Sequence, residues 1–124
     1  MSRINTYKDL LVWQKGMQIV KLTYALCAHF PQSEQFGLTS QIKRSAISIP
    51  SNIAEGYGRD YTRNYSYFLK VARGSLLELE TQMLIAINLE FVEEKLSSEL
   101  LSAITEESKM LNALIKKMIE ATAN

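Results

Sequence analysis

Histidine and cysteine chemistry has little to build on in this chain, which contains one of each, His29 and Cys27. One histidine and one cysteine, two positions apart, make neither a metal site nor a thiol–imidazole pair. A lone cysteine also has no partner for an internal disulfide. No Glu-x-x-His pair of the di-iron bundle type is present, and no Gly-x-Gly-x-x-Gly or P-loop occurs. Gly56-Tyr57-Gly58 is too short for either and follows a helical pattern rather than a strand. Ser45, Ser48 and Ser51 have no histidine to serve as base and read as residues that bend or network a helix. His29, beside Phe30-Pro31, suits a helix end, where it meets the last carbonyls. The expectation is a non-enzyme with no catalytic residue, no metal site and no cofactor.

Glycine and proline are also scarce, at five and two, which argues against the many turns of an all-β fold. No apolar run approaches the ~20 residues needed to span a bilayer. The opening Met-Ser-Arg-Ile-Asn-Thr-Tyr lacks the apolar core of a secretion signal. A cytoplasmic protein without a membrane partner is expected. With 47% hydrophobic residues in 124, there is enough apolar surface for one core and one domain over residues 1–124.

What the chain does contain is helical periodicity. Ile42, Ala46, Ile49, Ile53 and Gly56 recur every three or four residues, while Gln41, Arg44, Ser45, Ser48, Ser51, Asn52 and Glu55 take the opposite side. Pro50 lies inside this pattern, where it removes a hydrogen bond and predicts a kink. Hydroxyls of Ser45, Ser48 and Ser51 are in range of a carbonyl freed at Ala46 or Ile47. This second helix runs from about Leu38 to Tyr57. A first helix is expected from about Asp9, as cap or first-turn acid, to His29, with Trp13, Met17, Val20, Tyr24 and Cys27 on its seam, widened by Ile19, Leu26 and Phe30. A third follows from about Thr62, as N-cap, to Leu89, with Phe68, Ala72, Leu76, Leu79, Met83 and Ala86 at a/d spacing. A fourth begins near Ser97 or Ser98 and carries Leu100, Leu101, Ile104, Leu111, Leu114, Ile115 and Met118. Short connections force such helices to pack side by side. The predicted fold is all-α: an antiparallel up-down-up-down four-helix bundle with a kinked second helix.

The block Arg44-Ser-Ala-Ile-Ser-Ile-Pro-Ser-Asn-Ile-Ala-Glu-Gly-Tyr-Gly-Arg59 resembles the signature of the four-helix-bundle family named after the 23S rRNA intervening-sequence protein. The resemblance extends to Asp9-Leu-Leu-Val-Trp-Gln-Lys15, Phe30-Pro31, Phe36-Gly-Leu-Thr-Ser-Gln41 and Gly74-Ser-Leu-Leu-Glu-Leu-Glu80, nearly the whole chain. It implies a bacterial protein that forms a ring-like homopentamer. Because such genes lie in intervening sequences of 23S rRNA genes, it also implies an association with RNA. Similar bundles serve as accessory proteins of diversity-generating retroelements, beside a reverse transcriptase.

Three surfaces are candidates for function. Arg59, Tyr61, Arg63, Tyr65, Tyr67, Lys70 and Arg73 interleave cations with rings, a pattern suited to phosphates and unpaired bases of RNA or DNA. Arg63, Tyr67, Lys70 and Arg73 form one stripe of the third helix, to which Lys43 and Arg44 add if the second helix lies alongside. The competing reading packs the tyrosines at a helix junction and leaves the cations solvated. Gln41, Arg44, Ser48, Asn52 and Glu55 form a polar stripe suited to a subunit contact, with Glu55 pairing with Arg44 or Arg59; the competing reading has a nucleic acid or protein partner touch it. From Met83 to Leu89 the third helix is apolar nearly all round, so Leu84 and Ile87 are expected to be covered by a partner or a sibling subunit. Residues 1–73 hold ten Lys or Arg against four Asp or Glu, and residues 74–124 hold four against nine. The acidic half (Glu78, Glu80, Glu90, Glu93, Glu94, Glu99, Glu106 and Glu107) reads as a solvated face or as a surface for a basic partner. The alternative to a nucleic-acid accessory is therefore a protein–protein scaffold that binds no nucleic acid.

Overall fold

The computed structural model describes residues 3–123 and contains four α-helices: α1 (Leu11–Cys27), α2 (Leu38–Tyr57), α3 (Thr62–Asn88) and α4 (Glu94–Ala123). Short 3-10 turns at Tyr7–Asp9 and Gln32–Glu34 precede α1 and α2. There is no strand among the described residues. The four helices close on one apolar core, centred on Ile19, Ile42, Ile49, Ile53, Leu69, Leu79, Met83 and Leu111, each fully buried. The result is a four-helix bundle. Lys43 of α2 lies against Tyr24 of α1, whereas Pro50 lies near Gly16. Ser45, Ser48 and Gly56 ascend α2 as their partners Gln82, Ser75 and Phe68 descend α3. The α1–α2 and α2–α3 pairs therefore run antiparallel.

The helix ends differ from expectation in ways that side-chain chemistry explains. Asp9 caps the 3-10 turn rather than α1: its Oδ2 accepts from the Asn5 and Thr6 amides at 2.8 and 3.1 Å, and Thr6 Oγ1 accepts from Lys8 N. These bonds hold the Asp9 carboxyl below the usual range. α1 stops at Cys27, and His29 stands in the following turn, exposed, its amide donating to Leu26 O. Tyr61, not Thr62, is the N-cap of α3. At the far end, Glu90 takes a left-handed conformation (φ 63°). Its amide donates to Ile87 O and that of Phe91 to Ala86 O, so the last carbonyls of α3 are satisfied by a Schellman turn without a glycine. α4 begins at Glu94, earlier than expected; Ser97 is buried in its first turn, with its hydroxyl donating to Glu93 O.

α2 buries all five of its expected apolar positions. The helix is continuous through Pro50, and Ser51 donates to Ile47 O at 2.8 Å while Ser45 donates to Gln41 O at 3.0 Å. Neither hydroxyl serves the Ala46 carbonyl. α1 is rotated by about one residue from the expected seam. Val12, Gly16, Ile19, Thr23 and Leu26 face inward, and Met17 and Tyr24 face out at 46% and 42% exposure. Thr23 is tolerated inside because its hydroxyl donates to Ile19 O at 2.7 Å. The start of α3 shifts likewise: Ser66 and Leu69 are buried, and Phe68 is only half-buried.

Gly56 marks the closest approach of α2 to α3. A Cβ there would lie 2.7 Å from Phe68 Cβ and 3.2 Å from Tyr65 Cδ1. Gly74, midway along α3, has nothing within 4 Å of the same position. One substitution at the two sites should thus have opposite signs. Gly56→Ala is expected to destabilise by roughly 1–3 kcal/mol through overpacking, and Gly74→Ala to stabilise by about 1 kcal/mol through helix propensity. Urea denaturation of both variants checks this; equal shifts would show that the approach at Gly56 is not tight.

Candidate functional site

The cationic surface assembles around the α2–α3 turn and the first half of α3. Arg63, Tyr67 and Lys70 are exposed on the outward face of α3, with about 10 Å between the first and last. Neither Arg63 nor Lys70 has an ion-pair partner among the described residues. Tyr67 is 61% exposed and meets Phe68 edge-on at 5.2 Å. Tyr61, at 71% exposure, stands beside them. Arg63 also helps line a hollow with Tyr61, Asn64 and Thr122, where α4 ends against the start of α3.

Other members of the expected set are committed elsewhere. Arg59 stacks its guanidinium 4.9 Å from the Phe68 ring and lies 3.4 Å from Glu55 Oε1. Arg73 turns toward α4, donating to Asn112 Oδ1 at 3.1 Å. Tyr65 is half-buried and edge-on to Tyr57 at 6.0 Å. Its hydroxyl is buried without a partner; that burial, with Tyr57 beside it, pushes it up to about 12. Tyr65 therefore fits the junction reading and is closed to base stacking. Lys43 and Arg44 do not extend the patch. The antiparallel α2–α3 register puts Arg44 beside Ser75 and Glu78, about 22 Å along α2 from Arg59 at the rise of a helix.

The polar stripe of α2 is drawn into the chain's own α2–α3 seam. Ser45, expected on the polar side, is buried and donates to Gln82 Oε1 at 2.9 Å. The hydroxyl oxygens of Ser48 and Ser75 lie 2.8 Å apart, and Asn52 Nδ2 donates to both Ser48 O and Ser48 Oγ at 2.8 Å. Gln41 and Glu55 remain exposed. Further along α3, Leu77, Leu84, Ile85 and Leu89 are 54, 52, 43 and 54% exposed. Ile87 differs from them, being half-buried against the core.

One residue read as part of a solvated face is at the centre of the bundle. Glu107 has no exposed surface, and neither carboxyl oxygen has a hydrogen-bond partner among the described residues. Its Oε2 lies 3.4 Å from where a Cβ on Gly16 would stand, a point equally close to Ile49 and Pro50. The absent side chain of Gly16 thus leaves the room the carboxyl occupies. Burial pushes Glu107 up to about 8, with Lys15 nearby acting in the opposite sense. Lys15 itself pairs at 2.6 Å with Glu106, and this bond holds the Glu106 carboxyl below its ordinary value. Periodicity contained the signal: Leu100, Ile104, Glu107, Leu111 and Ile115 are one buried stripe, with Glu107 on it.

Among the described residues no helix is long and apolar enough to cross a membrane, and no group of three or more metal-ligating side chains comes together. Residues 8–113 match the family model described as 23S rRNA-intervening sequence protein, and the chain belongs to that family. It is similar in structure to a protein of unknown function from the S23 ribosomal protein family of Bacteroides thetaiotaomicron. That similarity has a TM-score of 0.79 and 23% identity, over 86% of this chain and 99% of the other; at this identity it establishes the fold. No curated protein matches the chain.

Glu107 makes stability depend on pH in a defined direction. Its folded value near 8 lies above the ordinary 4.5, so the folded state retains a proton that the unfolded chain releases. The stabilisation is whole below pH 4.5 and is lost as pH rises toward 8, with a slope of at most about 1.4 kcal/mol per pH unit. Asp9 and Glu106, held low, act only at more acid pH and in the opposite sense. Denaturant unfolding across this window should show the decline in the parent and its loss in Glu107→Leu. An unchanged slope in the variant would assign the pH dependence to another group.

Proposed function

We propose that this protein is a non-enzymatic, self-assembling accessory of nucleic acid, with RNA as the favoured partner and the cytoplasm as its place of action. The observation that carries the reading is the exposed stripe of Arg63, Tyr67 and Lys70, two cations without acidic partners among the described residues, on either side of an open ring. Cations meet phosphates and an exposed tyrosine offers a stacking face for unpaired bases. Arg59 contributes charge at the edge, reduced by Glu55 and by Asp60 next to it. Such a patch is small for one subunit. A ring of identical subunits, which membership of this family supports as the assembly, multiplies it by effective concentration. The apolar outer surface formed by Leu77, Leu84, Ile85 and Leu89 is the surface proposed for the subunit contact. A second reading, a scaffold that binds only proteins, draws on the same apolar surface.

Two measurements test this reading. Binding to a structured RNA should fall steeply with salt, and the slope should drop by roughly two to three in Arg63→Ala/Lys70→Ala/Arg73→Ala. No binding at low salt would favour the scaffold. Leu84→Glu, at an exposed position, should dissociate the assembly in sedimentation while leaving helicity intact. An unchanged sedimentation profile would move the contact off this face.

A further inference from the structure

The outward faces of α1 and α2 carry a chemistry that neither the RNA patch nor the α3 contact uses. α1 contains no acidic residue, and α2 contains only Glu55, near its C-terminal end. Met17, Lys21 and Tyr24 share one face of α1 through spacings of four and three, and all are exposed. Across from them, α2 presents Lys43 and the exposed Ile47. Between the two helices lies a groove of about 500 Å³, lined by Tyr24, Phe36, Thr39, Lys43, Arg44 and Ile47 among others. Phe36 is 91% exposed, more than any other large apolar residue described.

That exposure belongs to a fixed piece of backbone. Gly37 N donates to Glu34 O at 2.9 Å, and Leu38 N donates to Glu34 Oε1 at 3.1 Å. Glu34, two residues before Phe36, is therefore engaged in capping α2, where the helix dipole favours its charge. The groove is lined by Lys43 and Arg44 and by no carboxylate, and Lys21 is on the same face of α1 as Tyr24. One face of the Tyr24 ring is already occupied by the Lys43 ammonium at 4.7 Å. The remaining apolar walls are Phe36 and Ile47, with Gln35, Thr39 and Ser40 between them. Apolar side chains beneath a cationic rim suit an apolar anchor with acidic flanks. Met17 to Tyr24 spans two helical turns, about 10 Å, which matches anchors spaced i, i+4 and i+7 on a docked helix.

We propose that the groove between the outward faces of α1 and α2, with Phe36 at its mouth, is a docking site for an acidic amphipathic helix of a partner protein. Apolar anchors of that helix cover Phe36, Tyr24 and Ile47, and its acidic side meets Lys21, Lys43 and Arg44.

The test uses short fluorescent helical peptides that share one leucine stripe, with glutamate at the remaining positions in one and lysine in the other. The full chain should bind the glutamate peptide and not the lysine peptide. Phe36→Ala should weaken that binding by roughly tenfold or more, the effect of losing one buried ring, with no change in thermal midpoint. Lys43→Glu should weaken it further. Equal binding of both peptides, or indifference to Phe36→Ala, would overturn the proposal. So would a single-stranded RNA whose binding depends on Phe36, or a Phe36→Ala chain that sediments more slowly by itself, since a second copy would then occupy the groove. None of these outcomes bears on the salt dependence of the Arg63 and Lys70 patch, so the two readings fail separately.

Discussion

How near α2 comes to α3 at Gly56 decides the geometry of the molecule's cationic end. With no side chain at that position, the two backbones close until Phe68 and Tyr65 sit against α2. The approach brings Phe68 within reach of Arg59, which leaves α2 just beyond. It also sets Tyr65 edge-on to Tyr57 and shuts its hydroxyl away from water. Lower in the same seam, Ser45 meets Gln82 and Ser48 meets Ser75. Small hydroxyls there do what larger apolar side chains would prevent: they let the helices stay close while satisfying each other. Ser45 and Ser48 are thus turned to the seam, while Gln41, Arg44 and Glu55 of the polar stripe stay exposed.

How much of this was readable beforehand depended on whether inward positions carry apolar residues. The apolar stripe of α2 was legible, since Ile42, Ala46, Ile49, Ile53 and Gly56 are all buried, but Ser45, buried against Gln82, and Ile47, exposed, depart from the pattern. α1 misled by one residue, since its inward face includes Gly16 and Thr23 while Met17 and Tyr24 point out. The same exchange occurs at the start of α3, where Ser66 is inside and Phe68 is partly out. Glu107 is the extreme instance: charge type assigned it to water, whereas its place between Ile104 and Leu111 assigned it to the core. For the candidate patch, spacing along one helix identified Arg63, Tyr67 and Lys70 as neighbours. It could not reveal that Arg73 reaches Asn112, 39 residues away, that Arg44 stands beside Glu78, or that Lys43 lies over Tyr24 of α1.

α3 emerges as the helix with two occupations on one outer face. Its first half presents cations and rings, and its second half presents Leu77, Leu84, Ile85 and Leu89. In the proposed assembly the apolar half joins subunits, so the cationic half of each is carried to a fixed place around the ring. Spacing between patches then follows from the subunit contact, and a modest site gains from repetition what it lacks in charge. The α1–α2 face is free of either task.

Cys27 carries a consequence of a different kind. Its thiol is the only one in the chain, it is buried between α1 and its neighbours, and burial raises its ionisation above the ordinary value despite the nearby Lys43 ammonium. Since the thiolate is the reactive form, burial slows the thiol toward alkylating and disulfide reagents in the closed bundle. Modification then reports how often the C-terminal end of α1 opens, which makes the protein its own clock for that motion.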